Sequence, residues 1–303
     1  MKTIGITMGD PLGIGPEVTL KAMPQFRGGK TAFKVFGDPG LLKDLPQHEL
    51  IPVAIPGRSG RFTAATAGQA SVAYLDHAMQ AYQKGEIDAL VTAPISKSHV
   101  NQAGFPFPGH TEYLAHATHA KKCVMMMAGP KLKVALVTIH EPIAKVPGLL
   151  TQEKILDCID VTLASLHDRF HMKNPRVAVC GLNPHAGEDG ILGSEERDTI
   201  APALEAARKK GHRVSGPMVP DAVFHEAYEG HWDVVICMYH DQGLIPFKMV
   251  HFKDGVNVTL GLPLVRTSPD HGTAFDIAGK GLADPSSMIA AIRMAIQLTG
   301  GQA

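Results

Sequence analysis

The 303-residue chain carries no formal net charge, because 29 Lys and Arg balance 29 Asp and Glu. No global field attracts nucleic acid or an anionic membrane, so the charge balance leaves room only for a local basic pocket around a small anion. Cysteine is scarce and dispersed. Cys123, Cys158, Cys180 and Cys237 form no CxxC pair and no zinc-like cluster, which makes them small buried apolar residues of a reducing compartment. The opening MKTIGITMGD lacks the apolar core of a signal peptide. No apolar run approaches the roughly 18 residues of a membrane span. There is no low-complexity stretch, internal repeat or clear linker, and a cytoplasmic protein is expected. One residue type is in excess: histidine, at 16.

Short apolar runs alternate with longer helix-like segments. TIGITM, FKVFG, DALVTAP, KVALVTIH, RVAVCGL and DVVICMYH are nearly continuously apolar, as strands covered on both faces are. Between them, ATAGQASVAYLDHAMQAYQKGE ends in Lys84 and Gly85, a helix stop. A second helix starts at Thr151. A third carries Glu195 and Glu196 in its first turn and ends at Lys209, Lys210 and Gly211, which suits the helix dipole. SSMIAAIRMAIQLTG closes the chain. The Pro- and Gly-rich patch from Leu45 to Gly60 reads as a surface connection. The pattern is that of an α/β protein, long enough for two domains or one unit with two lobes.

Three histidines share one placement. His140 follows VALVTI, His185 comes shortly after VAVC, and His240 follows VVICMY. Open α/β sheets bind ligands outside the carboxyl ends of their strands, and three neutral imidazoles suit zinc, cobalt or a similar divalent ion with a coordination position open. Each also reads as a loop histidine bonded to backbone, and spacing leaves both readings open. In TMGDPLGIGPE (Thr7 to Glu17) the glycines would let backbone N–H groups approach an anion. The segment is not a G-x-G-x-x-G fingerprint, and a tight strand-to-helix turn serves equally well. His77, His116 and His119 fall in helix-like stretches and are assigned no site.

TSPDHGTAFDIAGKGLADPSSM (Thr267 to Met288) resembles the HGSAPDIAGKGIANP stretch of the β-decarboxylating dehydrogenases such as isopropylmalate dehydrogenase, and GDPLGIGPE resembles their GDGIGPE. Within that superfamily, MGDPLGIGPE, FPGHTEYLA, CGLNPHAGEDG, MYHDQGLIPFK and VNVTLGLPLVRTSPDHGTA, in that order, resemble the 4-hydroxythreonine-4-phosphate dehydrogenase (PdxA) family of vitamin B6 synthesis. The resemblance implies an isopropylmalate dehydrogenase-like fold with two α/β lobes around a central cleft. The first lobe, 1–122 plus 258–303, would hold the cofactor loop, and the second, 123–257, the metal ligands and the dimer contacts. His140, His185 and His240 match the ligands of a divalent ion (zinc, cobalt or magnesium). His110, Thr111, Lys248, Asn257 and Arg266 match substrate-binding positions, where Lys and Arg suit a phosphate or carboxylate. His271, Gly272, Thr273, Ala274, Asp276 and Gly279 match the nicotinamide loop. By the same analogy Asp276 would repel a 2′-phosphate and favour NAD, with NADP left open. Lys97 and Asp241 are further cleft positions.

The activity so implied is oxidation of 4-phosphohydroxy-L-threonine at C3 with NAD and a divalent ion, followed by loss of CO₂ to give 3-amino-2-oxopropyl phosphate. A homodimer with its site at the interface is also implied. The family includes enzymes for D-threonate or D-erythronate 4-phosphate and for aromatic cis-dihydrodiol carboxylates. Specificity stays open because Ala144, in HEPIAKVP, stands where the B6 enzymes usually carry Arg, and because the region from Leu45 to Thr66 is short. A metal-dependent hydrolase with Asp241 or Glu188 as base, and a non-catalytic anion-binding protein, are the readings from other classes.

Overall fold

Elements alternate along the computed structural model, which describes residues 1–58 and 60–302. The chain begins with β1 (Thr3–Thr7), α1 (Gly15–Ala22), β2 (Ala32–Gly37), β3 (Leu50–Pro52), α2 (Ala64–Gln83), β4 (Ala89–Thr92), α3 (Lys97–Gln102) and α4 (His110–Ala117). Next come β5 (Val124–Ala128), β6 (Lys133–Leu136), α5 (Val146–Leu149), α6 (Gln152–Asp168), β7 (Val177–Cys180), α7 (Ala201–Lys209) and β8 (Val214–Met218). It ends with α8 (Pro220–Tyr228), β9 (Val234–Cys237), α9 (His240–His251), β10 (Val256–Leu260), β11 (Val265–Pro269) and α10 (Ser286–Leu298). Two compact units result, one of Met1–Ala120 with Leu262–Ala303 and one of Lys121–Gly261.

The first unit is a parallel sheet in the order β3-β2-β1-β4-β11. Strand order reverses between β1 and β4, so loops that leave their carboxyl ends diverge and open a binding position there. α2 begins with a capping box: Thr63 Oγ1 accepts from Thr66 N, and Thr63 N donates to Thr66 Oγ1. It stops at Lys84, with Gly85 at φ +71°. Gly68 lets α2 lie against the backbone of α3, since a Cβ there would come within 1.9 Å of the His99 carbonyl.

In the second unit the order is β10-β5-β6-β9-β7-β8, antiparallel across β10, β5 and β6 and parallel from β6 to β8. Leu136, Val235, Cys237, Leu244 and Phe247 are among its core residues. The end of α9 is sealed by His251, which is 3% exposed. Its Nε2 accepts the N–H groups of Lys131 and Leu132, each at 3.2 Å. Nδ1 therefore carries the proton and donates to Asp254 Oδ1 at 3.0 Å. The ring lies on Phe247 and against Gly129, where a Cβ would come within 2.4 Å of it.

Several elements differ from the sequence reading. HDQG after β9 is the first turn of a helix rather than a loop, because Leu244 and Phe247 are drawn into the core. The helix expected from Glu195 opens with a π-type turn, Glu196–Ile200, and becomes α-helical at Ala201, since Glu196 turns back to bind an earlier loop. Leu45–Gly60 contains β3, and Ser59 in that patch lies outside the described residues. His119 sits beyond the end of α4 at φ +55°. Among the described residues no cysteine is in a disulfide, and Cys123 is half-buried rather than buried. Among the described residues no helix is long and apolar enough to cross a membrane.

His251→Phe keeps ring volume and orphans two backbone donors. We expect a loss of about 2–4 kcal/mol, read as a lower urea midpoint with an unchanged slope. An unchanged midpoint would show that Nε2 is not the acceptor.

Candidate active site

The carboxyl ends of three neighbouring parallel strands, β6, β9 and β7, carry the three strand-end histidines. Backbone bonds from Val137 to Cys237 and from Thr138 to Met238 extend the β6–β9 pairing toward His140. The rings of His140 and His240 meet with centroids 5.5 Å apart. His240 is the first residue of α9, and its Nδ1 lies 2.6 Å from Asp241 Oδ1. The carboxylate fixes the tautomer with Nδ1 protonated and leaves Nε2 as the donor atom.

His185 is exposed on a loop that turns left-handed from His185 to Gly190, with φ between +43° and +96°. Positive φ strains the four of these that are not glycine, His185, Ala186, Glu188 and Asp189, and the loop survives because its base is tied down. Glu196, 6% exposed, accepts the Leu182 and Asn183 N–H groups, both at 2.7 Å, and Asn183 Nδ2 at 2.9 Å. Burial raises the Glu196 pKa, but the hydrogen bonds from Asn183 and Leu182 outweigh it and hold the carboxyl below its ordinary range. Gln242 joins this loop to the next strand: its Oε1 accepts Met238 N at 2.7 Å, and its Nε2 donates to Gly181 O at 2.8 Å. Among the described residues no three His, Cys, Asp or Glu side chains stand close enough to hold a metal ion. The structure thus pairs His140 with His240 and leaves His185 apart on its own turn.

Two expected substrate residues belong to the same unit. Lys248 is half-buried on α9, and Asn257 is half-buried on β10 with a buried Oδ1 that has no hydrogen-bond partner. An orphaned amide oxygen is an acceptor awaiting a donor.

In the first unit, Arg266 on β11 is 4% exposed and donates through Nε (3.2 Å) and Nη2 (2.7 Å) to Thr92 Oγ1 at the end of β4. Burial pushes its pKa down to about 10 against the pull of Glu112. His110 and Thr111 open α4. Desolvation, and then the Arg266 cation, hold His110 down at about 3, so it stays a neutral imidazole. A helix N-terminus beside a buried guanidinium is suited to an anion.

The expected cofactor residues lie on the loop after β11. Its start rests on the segment after β1: Ile14 N donates to Thr273 O at 2.9 Å, and a Cβ on Gly13 would come within 2.9 Å of that oxygen. TMGDPLGIGPE thus packs beneath this loop. Farther along, Glu17 accepts the N–H groups of Gly281 (3.2 Å) and Ala283 (2.8 Å), and Lys21 Nζ donates to their carbonyls, each at 2.8 Å. His271 Nδ1 donates to Gly272 O at 3.0 Å, which leaves a buried Nε2 as an acceptor without a partner. Ala274 and Gly279 have positive φ (+42° and +70°), and Asp276 is exposed. Lys97 is the exposed first residue of α3, which is capped by Ser96.

Both expected groups meet residues of suitable chemistry. Zn–N bonds of about 2.0 Å at tetrahedral angles separate two ring centres by about 5.2 Å, close to the His140–His240 spacing of 5.5 Å. The orphaned His271 Nε2 suits an N–H or O–H donor of a nucleotide. Glu196, Gln242, Glu17 and Thr92 were not anticipated, since each acts through partners distant in sequence or on backbone atoms.

These features define an α/β protein with imidazoles at adjoining strand ends in one unit and a helix start beside a buried guanidinium in the other. The chain belongs to the family described as pyridoxal phosphate biosynthetic protein PdxA, whose sequence model matches residues 18–295. It is 48% identical to a 4-hydroxythreonine-4-phosphate dehydrogenase of Desulfosudis oleivorans, over 97% of this chain and 95% of that one. A crystal structure of 4-hydroxythreonine-4-phosphate dehydrogenase from Klebsiella pneumoniae is similar with a TM-score of 0.87 and 38% identity, covering 99% of this chain and 100% of the other. A terephthalate 1,2-cis-dihydrodiol dehydrogenase from Burkholderia xenovorans matches at TM-score 0.71 and 30% identity, covering 100% and 99%. The fold alone is shared with a β-decarboxylating dehydrogenase of Thermococcus kodakarensis, at TM-score 0.56 and 15% identity over 99% and 84%.

Because the Glu196 pKa is lowered on folding, its contribution is fully present above the ordinary carboxyl range near 4.5 and is lost as pH falls through the folded value. Glu196→Gln should destabilise by about 1–3 kcal/mol at neutral pH. The gap to wild type should close as urea unfolding is repeated at progressively lower pH. A gap independent of pH would contradict the charged role.

Proposed function

We propose that this protein is a dehydrogenase dependent on NAD and a divalent metal, which oxidises 4-phosphohydroxy-L-threonine at C3 and releases 3-amino-2-oxopropyl phosphate after loss of CO₂. The observation that carries the reading is the His140–His240 ring pair, with Asp241 on His240 Nδ1, at the ends of β6 and β9, of which β9 adjoins β7, the strand that leads to His185. The metal, zinc, cobalt or magnesium, would supply Lewis acidity at the C3 oxygen, and the nicotinamide would accept the hydride.

The chain's own groups do the rest. His140, His185 and His240 would offer ring nitrogens to the metal, and Asp241 orients the His240 ring through Nδ1. Lys248 and Arg266 hold anionic groups of the substrate, and Asn257 Oδ1 accepts one of its N–H or O–H donors. His110 adds a polar contact without a second positive charge beside Arg266, because its imidazole stays neutral. The 271–279 loop, with its open acceptor on His271, holds the nicotinamide cofactor, and exposed Asp276 favours NAD over NADP. The hydrolase reading is disfavoured, since Asp241 is committed to His240 and Glu188 is exposed on the left-handed turn.

A homodimer is supported by α9, where Ile245 and Met249, with Phe252 at the C-cap, form an apolar stripe at i, i+4 and i+7, exposed by 61%, 84% and 77%. Such a stripe calls for a partner surface. The cytoplasm is the proposed compartment, since the four cysteines are scattered and none is in a disulfide, as in a reducing environment. A second substrate reading is favoured by the segment after His140: Glu141 to Lys145 are all exposed, and Ala144 offers no charge there. D-Erythronate 4-phosphate, or an aromatic cis-dihydrodiol carboxylate, would then replace the amino acid.

The test is NADH formation by metal-loaded enzyme with 4-phosphohydroxy-L-threonine and D-erythronate 4-phosphate side by side. Strong preference for the amino acid is expected, with activity abolished by a chelator and restored by divalent metal. Preference for the sugar acid would transfer the proposal to the second reading, and full turnover without metal would refute both.

A further inference from the structure

Beyond β1 and β4, at the reversal of strand order in the first unit, a carboxylate is paired with a histidine. Asp10 is fully buried. Its Oδ1 accepts the Leu12 N–H at 2.9 Å, and its Oδ2 lies 2.7 Å from His99 Nδ1. A buried carboxylate is tolerated only when it is hydrogen-bonded, so this pair fixes the ring plane of His99, whose side chain is only 13% exposed. That ring packs on Phe275, with centroids 5.1 Å apart and planes inclined by 35°.

Phe275 stands in the middle of the 271–279 loop and is 45% exposed. It follows Ala274, whose φ of +42° is strained for a residue with a Cβ. Such a conformation persists only where neighbours impose it. Thr273 is held from one side by Ile14 N. The His99 ring holds the other side. Phe275 also occupies the place of Pro in the HGSAPDIAGKG stretch that this loop resembles, so a stiffening residue is replaced by one whose rigidity depends on an external contact.

We infer that Asp10, His99 and Phe275 form a positioning clasp that holds the 271–279 loop in its strained shape and thereby sets the affinity for the nicotinamide cofactor. The inference rests on the nucleotide role proposed for that loop. Asp10 orients His99, His99 supports Phe275, and Phe275 fixes the backbone on either side of Ala274. A loop already ordered before binding avoids the entropy cost of ordering during it. The clasp acts on cofactor binding and not on the chemical step.

NADH binding, followed by fluorescence titration of purified full-length protein, tests this with His99→Asn, Phe275→Ala and the double variant. The Asn amide can keep the hydrogen bond to Asp10 while removing the ring, and Phe275 is exposed enough for its loss to spare the fold; thermal unfolding checks both. Each single change should weaken NADH binding by about tenfold, or 1.4 kcal/mol. The double variant should be no weaker than either, because the two rings act as one contact. In turnover, KM for NAD should rise by a similar factor, while kcat at saturating NAD and KM for the phosphorylated substrate hold. Wild-type affinity in the single variants, or losses that multiply in the double variant, would overturn the clasp while leaving the nucleotide reading intact. Failure of wild-type protein to bind NADH would overturn that reading and the clasp with it.

Discussion

The geometry of the second unit turns on one buried amide. Gln242 is 8% exposed, and both ends of its side chain are used, one on Met238 N and one on Gly181 O. Met238 leads from β9 into α9 and His240, while Gly181 leads from β7 into the turn that bears His185. Parallel strands deliver their loops to one edge, but a shared edge does not by itself bring loops into register. The amide supplies that register. Glu196 continues the same network by binding the Leu182 and Asn183 N–H groups. His240 and the base of the His185 turn are thereby linked through backbone atoms that no surface motion can separate cheaply.

The first unit solves a related problem with charge. Its loop after β11 carries positive φ at Ala274, Gly279 and Gly281 and has no strand or helix of its own between Pro269 and Ser286. Glu17 and Lys21, one turn apart on α1, bind both the N–H and C=O groups of Gly281 and Ala283. Arg266 and His110 show how burial sets protonation there. The guanidinium stays a cation even when burial pushes its pKa down to about 10, whereas the imidazole beside it, held at about 3, is neutral. One fixed charge next to one neutral polar group suits the anion proposed there without a second unpaired cation in the same desolvated place.

Much of this was legible in the chain. The apolar runs before His140, His185 and His240 mark strands, and the strand-end placement of all three holds in the structure. α9 was not legible as a helix, because Asp241, Gly243 and Pro246 each argue against one. Tertiary packing overrides that propensity: a Cβ on Gly243 would come within 3.0 Å of Cys237 Sγ, and Phe247 is fully buried. The Met-rich β5 and β8, which contains Gly216 and Pro217, lack a strand signature for similar reasons. Glu196 and His99 were beyond reach of local reading. Their partners lie at Leu182 and Asn183 and at Asp10, and only the folded chain brings those atoms together.

In the proposed function one divalent ion is shared by His140 and His240, whose rings already meet, and by His185, which stands apart on its own turn. Titration of metal-free protein with cobalt(II), followed by its visible absorption, tests it most directly. We expect one site per chain with the intense bands of low-coordinate nitrogen ligation, weakened by at least tenfold when His140, His185 or His240 is changed singly to Ala. A cobalt site unaffected by His185→Ala, or no site at all in the wild type, would contradict the account.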